Sequence, residues 1–192
     1  MKKTILLVLL TLGTFSFAQE QEQEQTPSKK WFLGVGFNLM NNNGLDENEF
    51  FSLKDANVIP MISAFTVQRK WDNNFSVAGQ FFLNQYNAKN MHDGKTIAKS
   101  LTYTSANLNA MYTFDQHLVD VKWFDATVIG GLGAFWADKT SNYSFNTGLA
   151  FDFWVSKDVA LRLETQGKFA FDDKSPSSNH IVHSFSVILP IK

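Results

Sequence analysis

Cysteine is absent from all 192 residues of the chain. Its absence excludes disulfide bonds, thiolate metal sites, cysteine nucleophiles and anchoring through a lipid-modified cysteine. An excess of one charge is also absent, because 17 Lys and Arg side chains stand against 18 Asp and Glu, for a net charge of -1. A nearly neutral chain gives no electrostatic reason to expect nucleic acid as a partner.

Long hydrophobic runs are scarce, and one stands at the N-terminus. Two lysines precede the run TILLVLLTL (4–12), and the segment FSFA (15–18) ends in a small residue. This order is typical of a secretory signal peptide, so we predict that residues 1–18 are removed by cleavage after Ala18. The alternative is a retained N-terminal anchor, but this run is shorter than the about 20 residues that a membrane-spanning helix needs.

The segment after the predicted cleavage site is polar and repetitive. Residues 19–30 read QEQEQEQTPSKK, a composition that cannot bury a core, so we predict a disordered lead-in. Residues 31–192 are then left to form one domain. Aromatic residues make up 15% of the chain, with 19 Phe, 5 Trp and 4 Tyr, which is rich for a soluble domain.

From Trp31 onward, apolar and polar residues alternate with the period of two that β-strands have. The pattern predicts eight strands, at about 31–40, 58–69, 74–85, 105–114, 126–137, 143–155, 160–171 and 181–192. Most are near the about 9–11 residues that a tilted membrane strand needs. The sequence therefore predicts an all-β fold, an eight-stranded antiparallel transmembrane up-and-down β-barrel.

The two faces of these strands differ in size and polarity. In ALRLETQGKFAF (160–171), bulky residues such as Leu161 and Leu163 alternate with polar ones. The polar faces of the other strands hold mostly Gly, Ala, Ser and Asn, which suits a narrow lumen better than a water-exposed surface. We therefore predict that the apolar face meets lipid. The alternative is a soluble periplasmic barrel whose apolar interior binds a small apolar ligand.

Charged residues on the polar face are then predicted to lie inside the barrel. Arg162, Glu164 and Lys168 share that face of the seventh strand, and Asp152 lies on the sixth. Because an unpaired ion is costly away from water, we predict that they pair across the lumen as a polar plug. The alternative is a hydrated lumen in which water screens the charges.

Aromatic residues gather at both predicted ends of the barrel, as the interface girdles of a membrane barrel do. One end would hold Trp31, Trp71, Trp123 and Trp154, and the other Trp136, Tyr143, Tyr86 and Tyr103. The alternative is that large residues cap the ends of a soluble barrel.

Motifs for catalysis or cofactor binding are weak. His180, His183 and Ser184, with Asp172 and Asp173 nearby, lack the spacing of known barrel hydrolases. The acidic stretch NNNGLDENE (41–49) has no recognisable Ca²⁺ ligand spacing. We therefore predict no catalytic residues, no metal site and no cofactor.

Three segments carry a resemblance to the outer-membrane protein A family of Gram-negative bacteria. They are WFLGVGFN (31–38), the stretch from VIGGLGAF to GKFAF (128–171) and NHIVHSFSVIL (179–189). The resemblance implies an outer-membrane location after signal-peptide cleavage, with outer-membrane lipid and the outer-membrane assembly machinery as partners.

The same resemblance bears on function. Many family members carry a further domain that binds peptidoglycan, and we expect no such domain in this chain. We expect a non-catalytic barrel with a structural or surface-interaction role and a surface ligand still to be identified. The alternative is a narrow diffusion channel for small solutes, although eight strands leave an interior just wide enough for side chains.

Overall fold

The computed structural model describes residues 31–42, 56–71, 73–114, 121–172 and 176–191. The predicted signal peptide, the lead-in and residues 43–49 of the acidic stretch lie outside the described residues, as does Asp173. In the described part, no helix is long and apolar enough to cross a membrane.

The described residues form eleven β-strands. Their bounds are β1 Trp31–Asn41, β2 Asn57–Val58, β3 Ala64–Lys70, β4 Phe75–Tyr86, β5 Met91–His92, β6 Lys95–Thr96, β7 Leu101–Thr113, β8 Phe124–Ala137, β9 Thr140–Ser156, β10 Val159–Ala170 and β11 His180–Ile191. The short β2 pairs only with β1, and β5 pairs with β6 in a separate hairpin. The other eight are long strands that form the wall of the fold.

The wall closes into a barrel. Each wall strand pairs antiparallel with the next one along the chain, and the first pairs with the last, from Trp31 opposite Ile191 to Asn41 opposite Ile181. The predicted all-β, eight-stranded, antiparallel up-and-down barrel is therefore confirmed as the fold. Closure leaves the wall without a free edge strand.

The second wall strand differs from its prediction. It was expected over 58–69, but β3 begins at Ala64. Pro60 has no N–H to donate to a ladder, so the chain leaves the wall here. The Asn38 side chain fills the gap, because its Nδ2 donates to the carbonyls of Ser63 and Leu83, each at 2.8 Å.

The connections divide the barrel into two ends. Strands β1, β4, β8 and β10 end at the loop end, and strands β3, β7, β9 and β11 end at the turn end. The names loop end and turn end are used below in this sense.

Strand β10 shows which face of the wall looks outward. Leu163 is 48% exposed, whereas Arg162 and Glu164 are 3% and 4% exposed. The other wall strands alternate in the same way: their exposed bulky apolar residues point outward, and their inward positions hold small and polar residues together with some large buried ones such as Phe82 and Phe135. The apolar face is therefore the outer surface of the barrel.

We expect alanine to destabilise the barrel at one of two adjacent glycines of β8 and not at the other. Gly130 faces outward with open space around it, whereas a Cβ at Gly131 would meet the Leu108 carbonyl oxygen and the Asn109 side chain. Gly131→Ala should lower the free energy of unfolding by about 1–3 kcal/mol through overpacking, and Gly130→Ala should not. Denaturant unfolding of the refolded protein measures both. Equal losses would mean that the two faces of β8 are wrongly assigned.

Candidate functional site in the barrel lumen

The lumen contains a set of long polar side chains that contact one another across the barrel. We call this set the lumen network; its members are Gln80, Asn107, Asn109, Asn146, Asp152, Arg162, Glu164, Gln166 and Lys168, all at most 7% exposed. Four strands supply them, β4, β7, β9 and β10, because alternation places every second residue of each strand inside.

The strongest contact of the lumen network is the ion pair of Arg162 with Asp152. The two residues lie directly opposite in the β9–β10 register. Arg162 Nε and Nη2 donate to the two carboxylate oxygens at 2.6 and 2.7 Å, in the forked geometry that suits a guanidinium and a carboxylate. The third nitrogen, Nη1, is buried with no hydrogen-bond partner.

Glu164 is held by amides from opposite walls of the barrel. Gln80 Nε2 donates to its two oxygens at 2.8 and 3.0 Å, and Gln166 Nε2 donates at 2.6 Å. Gln80 Oε1 in turn accepts from Gln166 and Asn109 at 2.6 and 2.7 Å. Since β4 and β10 are four strands apart in the ring of eight, these bonds cross the full width of the lumen.

Lys168 occupies a similar place nearer the loop end. Its Nζ donates to Asn107 Oδ1 on β7, three strands away. Asn146 Nδ2 donates to the same oxygen at 3.2 Å and to Asn109 Oδ1 at 3.3 Å. Of the four predicted lumen residues, Arg162 and Asp152 are therefore paired with each other, while Glu164 and Lys168 each bind amide side chains.

The amide partners were not predicted as a site. Asn107 and Asn109 stand at inward positions of the fourth predicted strand, and Gln80 at an inward position of the third. The spacing of these residues predicts that they lie on the inward face. It does not predict their hydrogen-bond partners, because those partners lie across the closed barrel.

An aromatic plug fills the lumen at the loop end. Its members are Met40, Phe82, Tyr86, Tyr103, Phe135 and His180, each at most 1% exposed. Tyr103 Oη bonds His180 Nε2 at 2.7 Å, across four strands. His180 Nδ1 lies 2.8 Å from the Ser178 carbonyl, which can only accept, so Nδ1 carries the proton and Nε2 accepts from the tyrosine.

The turn end is also bridged across the lumen. Lys70 on β3 and Asp125 on β8 form an ion pair of 3.5 Å, although three strand steps separate them. Trp154 Nε1 donates to the same carboxylate at 3.1 Å. The lumen is therefore crossed by polar or aromatic contacts at both ends and in the middle.

The aromatic residues predicted as girdles fall into two groups. Trp31, Trp71, Trp123, Trp136 and Tyr143 are 40–67% exposed on the outside.

Tyr86 and Tyr103 lie at the expected end but inside the plug, so their assignment to an outer girdle was wrong. The assignment of Trp154 to an outer girdle was also wrong. Trp154 is only partly exposed, and its ring meets the Phe32 ring of β1 edge-on with centroids 6.2 Å apart. All three occupy inward positions of their strands, and alternation, rather than distance from the strand end, decides the face.

The weak catalytic motif is split by the barrel wall. His180 and Ser184 face inward, whereas His183 lies beside outward-facing Thr165, whose Oγ1 is 2.9 Å from its Nδ1. In the described ranges, no group of three or more His, Cys, Asp or Glu side chains is placed to hold a metal ion. Asp172 lies in the connection after β10.

A comparison with protein-family models gives no match, and a comparison with curated proteins gives none. Two solved structures share the fold. The N-terminal β-barrel domain of Pseudomonas aeruginosa OprF matches with a TM-score of 0.51 and 9% identity, over 82% of this chain and 96% of that one. Neisserial surface protein A (NspA) matches with a TM-score of 0.53 and 11% identity, over 84% and 96%. Both are eight-stranded outer-membrane barrels, and likeness at this identity concerns the fold.

We expect Asp152→Ala to lower the free energy of unfolding by about 3–5 kcal/mol, because it leaves the Arg162 guanidinium buried without its partner. The double variant Asp152→Leu with Arg162→Met should recover most of that loss. Denaturant unfolding in detergent micelles measures both.

The matched control is the exposed pair of Lys99 and Asp138, which are 3.4 Å apart. Lys99→Ala should change the free energy of unfolding by less than about 1 kcal/mol, since exposed pairs contribute little. An Asp152→Ala cost as small as this would contradict the assigned pair.

Proposed function

We propose that this chain is an integral outer-membrane barrel with a filled lumen, directed to export by the predicted signal peptide, which is then cleaved. Its role is structural or surface-interacting rather than catalytic. Outer-membrane lipid would surround the barrel, and the outer-membrane assembly machinery would insert it.

The observation that carries this proposal is the outer surface of the wall. Among the outward-facing positions of the eight described wall strands, one side chain is charged, Arg69, and one is a histidine, His183. A barrel in water would need charged residues over that surface to stay soluble. A surface with so few charges and so many exposed bulky apolar side chains is what lipid requires.

The interior has the opposite character. The inward positions of the same strands hold six charged side chains, Lys70, Asp125, Asp152, Arg162, Glu164 and Lys168, three of each sign. Their charges sum to zero, and two of the positive charges, on Arg162 and Lys70, form ion pairs with Asp152 and Asp125. The lumen network also fills the space that an apolar ligand of a soluble barrel would need.

The aromatic residues at the edge of the apolar surface also support its contact with lipid. Trp31 at the turn end stacks with the one outward charge, since the Arg69 guanidinium carbon lies 5.0 Å from its ring centroid. Such a pair suits a membrane interface, where the apolar part of the ring lies against lipid and the guanidinium reaches water. The fold shared with OprF and NspA supports the location at the level of the fold.

We expect Leu163→Arg, near the middle of β10, to lower the free energy of unfolding in lipid bilayers by about 2–4 kcal/mol, as arginine facing the bilayer does. Met91→Arg is the matched control: Met91 is 45% exposed and Leu163 48%, but Met91 lies in the hairpin outside the wall. It should have little effect. Equal small costs, or recovery of the wild-type protein in the soluble fraction after carbonate washing of membranes, would contradict membrane insertion.

A narrow diffusion channel is the second candidate, because polar side chains line the middle and the turn end of the lumen. The bonds that cross the lumen oppose it. We therefore expect low or flickering conductance for the wild-type protein in planar bilayers.

Glu164→Gln should raise the open time and shift selectivity toward anions, since it leaves three positive and two negative charges inside. Asp138→Asn, which changes a carboxylate outside the lumen, should alter neither property. A large and steady wild-type conductance that Glu164→Gln leaves unchanged would favour the channel.

A further inference from the structure

A small hairpin covers the lumen at the loop end. Strands β5 and β6 are joined by Asp93 and Gly94, whose φ angles of 49° and 71° give the tight two-residue turn of a β-hairpin. His92 is fully buried, and its ring meets the Tyr86 ring edge-on with centroids 4.9 Å apart. The hairpin is therefore folded against the aromatic plug.

Two neighbouring connections hold the hairpin there. The Asp93 N–H donates to the Asn42 carbonyl at 2.8 Å. The Ser178 hydroxyl donates to Asp93 Oδ1. Asn42 Nδ2 donates to the Pro176 carbonyl at 2.8 Å, so three connections meet over the mouth of the barrel.

Buried polar atoms without partners are concentrated at this point. Six such side-chain atoms occur in the described part of the chain, and four of them belong to Tyr86, His92, Asp93 and Ser177. An unpartnered polar group away from water costs free energy, so native proteins rarely leave one unexplained. The Tyr86 and His92 rings are in contact, and Asp93 is bonded to Ser178, which follows Ser177 in the chain, so the four residues are neighbours and point to a bound molecule.

The chemistry of the four atoms defines what that molecule must offer. His92 Nε2 lies 2.8 Å from the Asn87 carbonyl, which can only accept, so Nε2 donates; with the proton on Nε2, the unpartnered Nδ1 is an acceptor. Asp93 Oδ2 is an acceptor with negative charge, and the hydroxyls of Tyr86 and Ser177 can also accept. A ligand here must donate hydrogen bonds and is favoured by a positive charge.

The surroundings narrow the ligand further. The ring centroids of Tyr86 and Tyr103 are 5.6 Å apart, and aromatic rings attract organic cations. One imidazole and one carboxylate fall short of the three protein ligands of a typical zinc site. We propose that the loop end of the lumen is a covered binding site for a small, water-soluble cation of the primary ammonium class.

The hairpin also provides a route to this site. Each of its strands has two residues, and isolated hairpins are marginally stable. Lys95 and Gly94 are exposed, so the turn can lift without breaking the wall. The site lies inside the barrel mouth, and its use does not depend on what surrounds the outer surface.

The test uses the full chain, refolded in alkyl maltoside micelles without lipid and titrated with ethylammonium chloride. We expect saturable NMR shifts at Tyr86, His92 and Asp93, and none with equal concentrations of sodium chloride or ethanol. No saturable shift, or the same shift with sodium chloride, would overturn the proposal and assign the four atoms to bound water or to a simple ion.

Variants separate binding from folding. Asp93→Asn should weaken ethylammonium binding at least tenfold, and Tyr86→Phe, which keeps the ring, should weaken it several-fold. Asp138→Asn, at a turn of the same end, should bind within twofold of the wild type. Wild-type affinity in both Asp93→Asn and Tyr86→Phe would overturn the proposal. If Asp93→Asn disturbs the hairpin, the affinity of Tyr86→Phe alone decides.

A final arm distinguishes a free amine from a lipid headgroup. In nanodiscs of phosphatidylethanolamine without added amine, the resonances of Tyr86 and His92 should match those in phosphatidylglycerol nanodiscs. Shifts that phosphatidylethanolamine alone produces would overturn the assignment to a soluble cation.

Discussion

Closure of the sheet between β1 and β11 is the constraint on which the other features depend. Eight strands give a barrel so narrow that side chains from opposite walls touch. Gln80 therefore reaches Glu164, and Tyr103 reaches His180, although four strands separate each pair in the ring. In an open sheet these side chains would point into solvent, whereas the Arg162–Asp152 pair would remain because it joins neighbouring strands. The tertiary structure of the lumen is thus a consequence of ring size.

Closure also explains why amides are so frequent inside. A buried carboxylate or ammonium needs several hydrogen bonds, and a second ion supplies them only in favourable geometry. An amide donates and accepts at once, so Gln80 can bind Glu164 through its nitrogen and Asn109 through its oxygen. Amides therefore link the charged residues without adding charge. The interior remains electrically balanced, since Glu164 and Lys168 bind neutral amides while Arg162 and Asp152 bind each other.

The sequence predicts the wall better than it predicts the lumen. Strict alternation in β10 is enough to identify both faces, because the period of two is a local property of the backbone. The start of β3 was predicted too early. Pro60 is a local sign that the ladder breaks, but the bonds from Asn38 to the carbonyls of Ser63 and Leu83 come from another strand, and the pattern of residues 58–69 does not reveal them. The cross-lumen bond from Gln80 to Glu164 joins residues 84 positions apart in sequence, and its existence requires the ring to be closed first. Tyr86 and Tyr103 show the complementary error, in which nearness to a strand end was weighted above alternation.

The lumen is packed by pairing long side chains with glycines. Strand β10 brings Arg162, Glu164, Gln166 and Lys168 inward, and β8 leaves room for their amide partners by placing glycine at two inward positions. A Cβ on Gly131 or Gly133 of β8 would collide with Asn109 or Asn107, which hold the far side of the lumen network. On β1, a Cβ at Gly36 would meet Ser186 of the neighbouring strand.

The polar side chains and the glycines of the lumen therefore depend on each other. The glycines leave space that the amides and ions fill. A polar interior packed in this way is as specific as an apolar core, because every member must match both a hydrogen bond and a volume.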